Sequence, residues 1–175
     1  TLSDLLGDVA DAADAFPKTS LQGGFSTYAG PNVVSGTGAR NIMEAVEAVA
    51  QAVAADPLLH APCPSGDDDA CALGFIEEFG ARAFRRPLLE DELTTLVGVY
   101  ETCPGEEAYG QKIGRLLEAI LQSPQFLYIH AEEGVDAANA PGVVLLSEYA
   151  MASRLSYFLW DSMPDEALFS RAKAG

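Results

Sequence analysis

The sequence predicts an all-α fold, an irregular helical bundle of five to seven helices with one long N-terminal loop. Three observations carry that reading. The 175 residues include 49% hydrophobic ones, enough to build a core in a chain of single-domain length. Apolar residues recur at helical spacing almost throughout. Capping and helix-stopping residues fall at the ends of these periodic runs.

In chain order, residues 2–14 carry leucines and alanines at helical spacing. Pro17 and the Gly-rich stretch LQGGFSTYAGPNVVSGTGARN then read as a long irregular connection. Residues 40–54 place Ile42, Val46, Val49 and Val53 on one stripe, and Pro57 follows. Cys63 and Cys71 flank the short loop CPSGDDDAC, in which Pro64, Ser65 and Gly66 supply the bend, so local pairing is expected. Asp67, Asp68 and Asp69 fit the first turn of the next helix, where free N–H groups and the macrodipole favour negative charge. They lack the alternation, turn glycine and distal glutamate of a calcium loop.

Phe75, Phe79 and Phe84 mark an amphipathic helix stopped by Pro87. Two more helices are expected at about 89–102 and 106–122, the second with Ile113, Leu116, Leu117, Ile120 and Leu121 on one face. Pro124 biases Ser123 away from helical angles, so SPQFLYIH reads as extended structure against the helices. After a Gly- and Ala-rich connection at 133–142, Ser147 can cap a helix over 148–161. Ser162 and Asp165 have capping-box spacing and predict a further helix at once. Three domains result: 1–60, a helical segment with the Gly-rich loop; 61–130, a disulfide-tied helical domain; and 131–175, the start of a further helical domain that continues beyond the excerpt.

The charge is lopsided, with 26 acidic against 10 basic residues and a formal charge of -16. Such a surface repels phosphate backbones and anionic lipid, which argues against nucleic-acid binding. No run approaches the roughly 20 apolar residues of a membrane span.

The stretches FGARAFRRPLLEDEL, LLEAILQSPQFLYIHAE and LSEYAMASRLSYFLWDSMPDEALFSRA form an ordered set. Together they resemble the adjoining domains of unknown function of large secreted bacterial proteins, typical of planctomycetes and myxobacteria, that often also carry a c-type cytochrome domain. The opening LSDLLGD…FP…GGF resembles the domain that usually precedes them. The resemblance implies export to the periplasm, cell surface or medium, a multi-domain parent and a redox setting. It also implies that any haem is held in a neighbouring domain of the parent, and that the partners are other domains of the same polypeptide or a separate protein. Leu89 departs from the family tendency to Thr or Ser ahead of the acidic turn, which removes a cap worth about 1 kcal/mol. Ile129 and His130 stand where the family often has an arginine.

The residues themselves supply no catalytic set. There is no C-x-x-C-H for covalent haem, and His60, His130 and the three cysteines lack zinc spacing. GFSTYAG puts Tyr28 where a nucleophile elbow needs glycine, and SGTGARN lacks the strand and lysine of a nucleotide loop. Glu77 with Glu78, and Glu132 with Glu133, are adjacent and diverge on a helix. The weak ligand-binding candidates are Arg154, Tyr157, Trp160 and Asp161. Arg154 has Tyr157 and Phe158 one turn ahead and Ala150 and Met151 one turn behind, which predicts a buried guanidinium clamping DSMPDE or a neighbouring acid, with Trp160 anchored in the core. The expectation is a non-catalytic scaffold or interaction module. The alternative is part of a glycan-directed enzyme acting on extracellular polymer and completed outside this excerpt.

Overall fold

The computed structural model describes residues 1–7, 16, 34–66, 68–104, 108–129, 135, 136 and 141–175. The chain is all-α, in two compact units, Thr1–Leu127 and Tyr128–Gly175. The first unit holds α1 (Leu2–Leu6), α2 (Gly36–Ala55), α3 (Pro57–His60), α4 (Asp68–Phe84), α5 (Glu90–Glu101), α6 (Tyr109–Leu121) and α7 (Pro124–Leu127). The second holds a two-residue antiparallel pair, β1 (Val135–Asp136) with β2 (Val144–Leu145), followed by α8 (Glu148–Trp160) and α9 (Glu166–Ala174). Two of the nine described helices, α3 and α7, are four-residue turns. Such turns are too short to leave a periodic signature in sequence.

Unit 1 is organised around α6. Ile113, Leu116, Leu117, Ile120 and Leu121 are fully buried there, facing α2 through Val46, Val49 and Val53 and α5 through Leu96 and Tyr100. Burying five side chains of this size contributes about 1.5–3 kcal/mol each before chain entropy is counted, so α6 holds the bundle together. Two glycines let α2 and α6 approach. A Cβ on Gly110 would lie 2.4 Å from the Ala54 carbonyl oxygen, and one on Gly114 would lie 3.2 Å from that of Ala50. From α4, Phe75, Ile76, Phe79, Ala83 and Phe84 close the core, with the Phe75 and Phe79 rings stacked at 4.9 Å.

Several boundaries differ from expectation for identifiable reasons. Helix α2 starts at Gly36, within the segment read as irregular, because Ser35 caps it by accepting from Gly38 N–H at 3.1 Å. The stretch SPQFLY is not extended. Ser123 accepts the Phe126 and Leu127 N–H groups through its carbonyl and Phe126 N–H through Oγ, so it caps a turn that Pro124 opens. A capping residue is itself non-helical, and the proline restriction is satisfied that way.

At α5 the end is not bare despite Leu89. Glu92 accepts Leu89 N–H at 2.9 Å and the Asp91 carboxylate accepts Glu92 N–H at 2.9 Å. Ser147 caps α8 by accepting from Ala150 N–H. The cap of α9 is Asp165, accepting from Leu168 N–H at 2.8 Å, and not Ser162. The rest of the predicted 2–14 helix beyond Gly7 lies outside the described residues.

Candidate functional site

Among the described residues of unit 1, a dense polar constellation is built where α4 ends and α5 begins, in the sequence FRRPLLEDE. Helix α4 terminates in a Schellman arrangement: Arg86 N–H reaches the Ala81 carbonyl at 3.1 Å and Arg85 N–H reaches the Arg82 carbonyl at 3.2 Å. The left-handed position of that motif normally takes glycine. Here it is Arg85, with φ 60, which costs about 1–2 kcal/mol for an L side chain.

The Arg85 side chain makes use of that position. It is 5% exposed, and its guanidinium donates to three main-chain oxygens: Ala83 at 3.3 Å, Phe126 at 3.2 Å and Gln125 at 2.6 Å. A charged donor on a neutral carbonyl is a strong hydrogen bond, and the planar fork can serve two carbonyls of one turn together. Arg86 turns the other way and meets Glu92 through two bonds of 2.8 Å, a fork-to-fork ion pair half shielded from solvent. The Arg86 guanidinium, the Leu89 N–H and the side chain of Gln125 hold the Glu92 carboxyl below its ordinary range, outweighing the opposing effect of burial. Gln125 is held through its carbonyl on Arg85.

The loop CPSGDDDAC closes as expected: Cys63 and Cys71 are disulfide-bonded, with Cα atoms 5.2 Å apart. Asp68 and Asp69 lie in the first turn of α4, and Asp67 is outside the described residues. Asp69 accepts from the Tyr100 hydroxyl at 3.0 Å, Lys112 sits 4.9 Å above the Tyr100 ring, and Tyr109 donates to the Ala61 carbonyl at 3.2 Å. Burial, reinforced by the nearby aspartates, raises the ionisation of both phenols above the ordinary tyrosine value. These tyrosines are structural donors that tie the disulfide loop to α5 and α6.

The four ligand-binding candidates lie in unit 2, on α8 and at its C-terminal end. Arg154 is exposed, and no carboxylate among the described residues pairs with it, so the expected buried clamp is not there. The reason lies in which face of α8 is covered. Its buried residues are the small ones, Ala150, Ala152, Ser153 and Ser156, which sit on the side of α9. Arg154 shares the opposite face with Met151, Leu155, Phe158 and Leu159, all exposed.

Trp160 is 45% exposed and not a core anchor; its Nε1–H donates to the Met163 carbonyl at 3.2 Å and closes the turn into α9. Asp161 occupies the left-handed C-terminal position of α8 at φ 53, and Tyr157 is half-buried. Thus the buried arginine of this chain belongs to a different helix. The signal for it was present in the doubled arginine ahead of Pro87, where a helix has to stop.

A groove of about 390 Å³ lies between the end of α5 and α6, lined by Val99, Thr102, Cys103, Arg115, Glu118 and Gln122 among others. Its one carboxylate among the described residues is Glu118. Cys103 is buried and its thiol donates to the Val99 carbonyl at 3.4 Å. Among the described residues no group of three metal-binding side chains is gathered; His130, Glu132 and Glu133 lie outside them.

Three consecutive segments are similar to three family models. Residues 1–55 match PSD3, a protein of unknown function (DUF1587); residues 71–130 match PSD5, a protein of unknown function (DUF1595); and residues 146–175 match PSD4, a protein of unknown function (DUF1592). The chain therefore carries tandem domains of unknown function. No curated protein and no solved structure matches it.

Proposed function

We propose that this chain is a non-catalytic helical scaffold, an interaction module within an exported multi-domain bacterial protein whose neighbouring domains include a cytochrome. The observation that supports this best is the fate of the polar residues in the FRRPLLEDE stretch. Arg85 is directed at main-chain carbonyls, Arg86 at Glu92, and Glu92 also at Leu89 N–H. Groups engaged in this way hold helices in register. Substrate chemistry would want the same groups turned towards a cleft.

The disulfide favours an oxidising compartment, and no helix among the described residues is long and apolar enough to cross a membrane. The exposed apolar face of α8 supports the interaction half of the reading, since large apolar side chains gathered on one helix face mark contact surfaces.

The test is to recover the parent protein, tagged, from fractionated cells of its source. Recovery outside the cytoplasm, with Cys63 and Cys71 oxidised and a haem band contributed by sequence beyond these 175 residues, is expected. Recovery from the cytoplasm with reduced thiols refutes export, and turnover of a polysaccharide by the 175-residue chain alone refutes the scaffold.

A further inference from the structure

We propose that Arg85, with the Gln125 and Phe126 carbonyls it holds, forms a latch that sets where the chain leaves unit 1, and that this latch opens without unfolding the helices behind it. The inference rests on the geometry of unit 1 and is independent of the function proposed above. Helix α7 is the last element of that unit, which ends at Leu127. A four-residue turn cannot persist by its own hydrogen bonds, because nucleating a helix costs more than one turn returns.

Burial holds α7 only in part. None of its residues is buried, Pro124 is exposed, and Gln125, Phe126 and Leu127 are only half-covered. The polar fastening comes from Arg85, at the end of α4, which takes the Gln125 and Phe126 carbonyls. Its helix is itself packed in the core through Phe84.

Breaking these bonds therefore loosens α7 and leaves the buried surface of α4, α5 and α6 in place. The point of departure then moves from Leu127 back to Ser123. The freed turn, about 6 Å long as helix, can extend to about 13 Å. The latch thus sets the length of tether available to whatever follows unit 1.

Amide hydrogen exchange on the full 175-residue chain tests this, because it reads local opening separately from global unfolding. Arg85→Lys keeps the charge and the stem but loses the two-nitrogen fork. In that variant the Phe126 and Leu127 amides should exchange at least about ten-fold faster, at a rate that low urea leaves unchanged, whereas Leu117 and Ile120 of α6 should exchange with the urea dependence of global unfolding. Gln125→Ala, which leaves the backbone bonds and so folds readily, should keep the same two amides within about two-fold of wild type. Unchanged rates at Phe126 and Leu127 in Arg85→Lys would sink the latch. So would a urea dependence at those two amides equal to that in α6, since the opening would then be global.

Discussion

The guanidinium of Arg85 lies 2.6 Å from the carbonyl oxygen of Gln125, 40 residues further on, while the Arg85 backbone sits at φ 60. The two facts oppose each other energetically. The left-handed backbone costs about 1–2 kcal/mol for any residue with a Cβ, whereas charged hydrogen bonds contribute about 1.5–3 kcal/mol each in favourable cases. The side chain wins, which explains why this helix end tolerates an arginine where glycine is the usual solution.

Replacing Arg85 separates the two terms. Arg85→Ala keeps the strained backbone and loses every side-chain bond, so it should lower unfolding free energy by about 2–4 kcal/mol. Arg85→Gly loses the same bonds but relieves the backbone, and should recover about 0.5–1 kcal/mol even after the added freedom of the unfolded chain. Urea midpoints of the two variants decide it. Glycine no better than alanine would mean that the left-handed position carries no strain.

Glu92 supplies a pH dependence with a defined sign. Its folded-state acidity is strengthened by Arg86, Leu89 N–H and Gln125, so its pKa is depressed below the unfolded value of about 4.3. A depressed carboxyl contributes stability that is fully present above the unfolded pKa and is lost as pH falls through the folded one. Glu92→Gln should therefore be less stable than wild type at pH 6, and the gap should close on acidification from about pH 4.3 downward. A gap that stays constant to pH 3 would show that Arg86 gains nothing from the carboxylate charge.

What the sequence revealed, and what it hid, divides along the line between local and long-range physics. The α6 stripe, the Ser147 cap and the Cys63–Cys71 loop depend on residues within a few positions of each other, and each was readable. Arg154 and Arg85 show the limit. Helical spacing says that Arg154 shares a face with Met151, Leu155 and Phe158, but not whether that face is covered. Arg85 is buried because the chain returns 40 residues later to place two carbonyls against it. The turn at Pro124 fell between these cases, since a proline restricts its predecessor in the same way ahead of a strand or as a helix cap.

Gly110 and Gly74 should respond in opposite directions to alanine. Both are inside helices, where exchanging glycine for alanine is worth about 0.5–1 kcal/mol if space allows. At Gly74 nothing lies within 4 Å of the added methyl, and Gly74→Ala should raise stability by that amount. At Gly110 the methyl would meet the Ala54 backbone oxygen at 2.4 Å and Pro57 at 3.1 Å, so α2 and α6 must separate. Overpacking of this kind costs about 1–3 kcal/mol and exceeds the propensity gain. Thermal unfolding followed by circular dichroism reads both, and a Gly110→Ala protein as stable as wild type would show that α2 and α6 do not press together there.

Arg154 provides the last test, because its environment reverses what the sequence predicts. A buried, paired arginine costs about 3–5 kcal/mol when its partner is stranded, whereas an exposed one costs well under 1 kcal/mol. Arg154 is exposed on α8 and Arg171 is exposed on α9. Arg154→Ala and Arg171→Ala should therefore unfold at the same urea concentration as wild type, to within about 0.5 kcal/mol. Trp160 is the only tryptophan and lies in unit 2, so its fluorescence reports this unit directly. Surface properties should change where stability does not. Arg154 shares its helix face with the exposed Met151, Leu155 and Phe158, and losing its charged head leaves that apolar face without its cation. Arg154→Ala should then bind an apolar dye such as anilinonaphthalene sulfonate more strongly than Arg171→Ala does. A selective loss of more than about 1 kcal/mol in Arg154→Ala would restore the buried clamp and remove α8 as an exposed face.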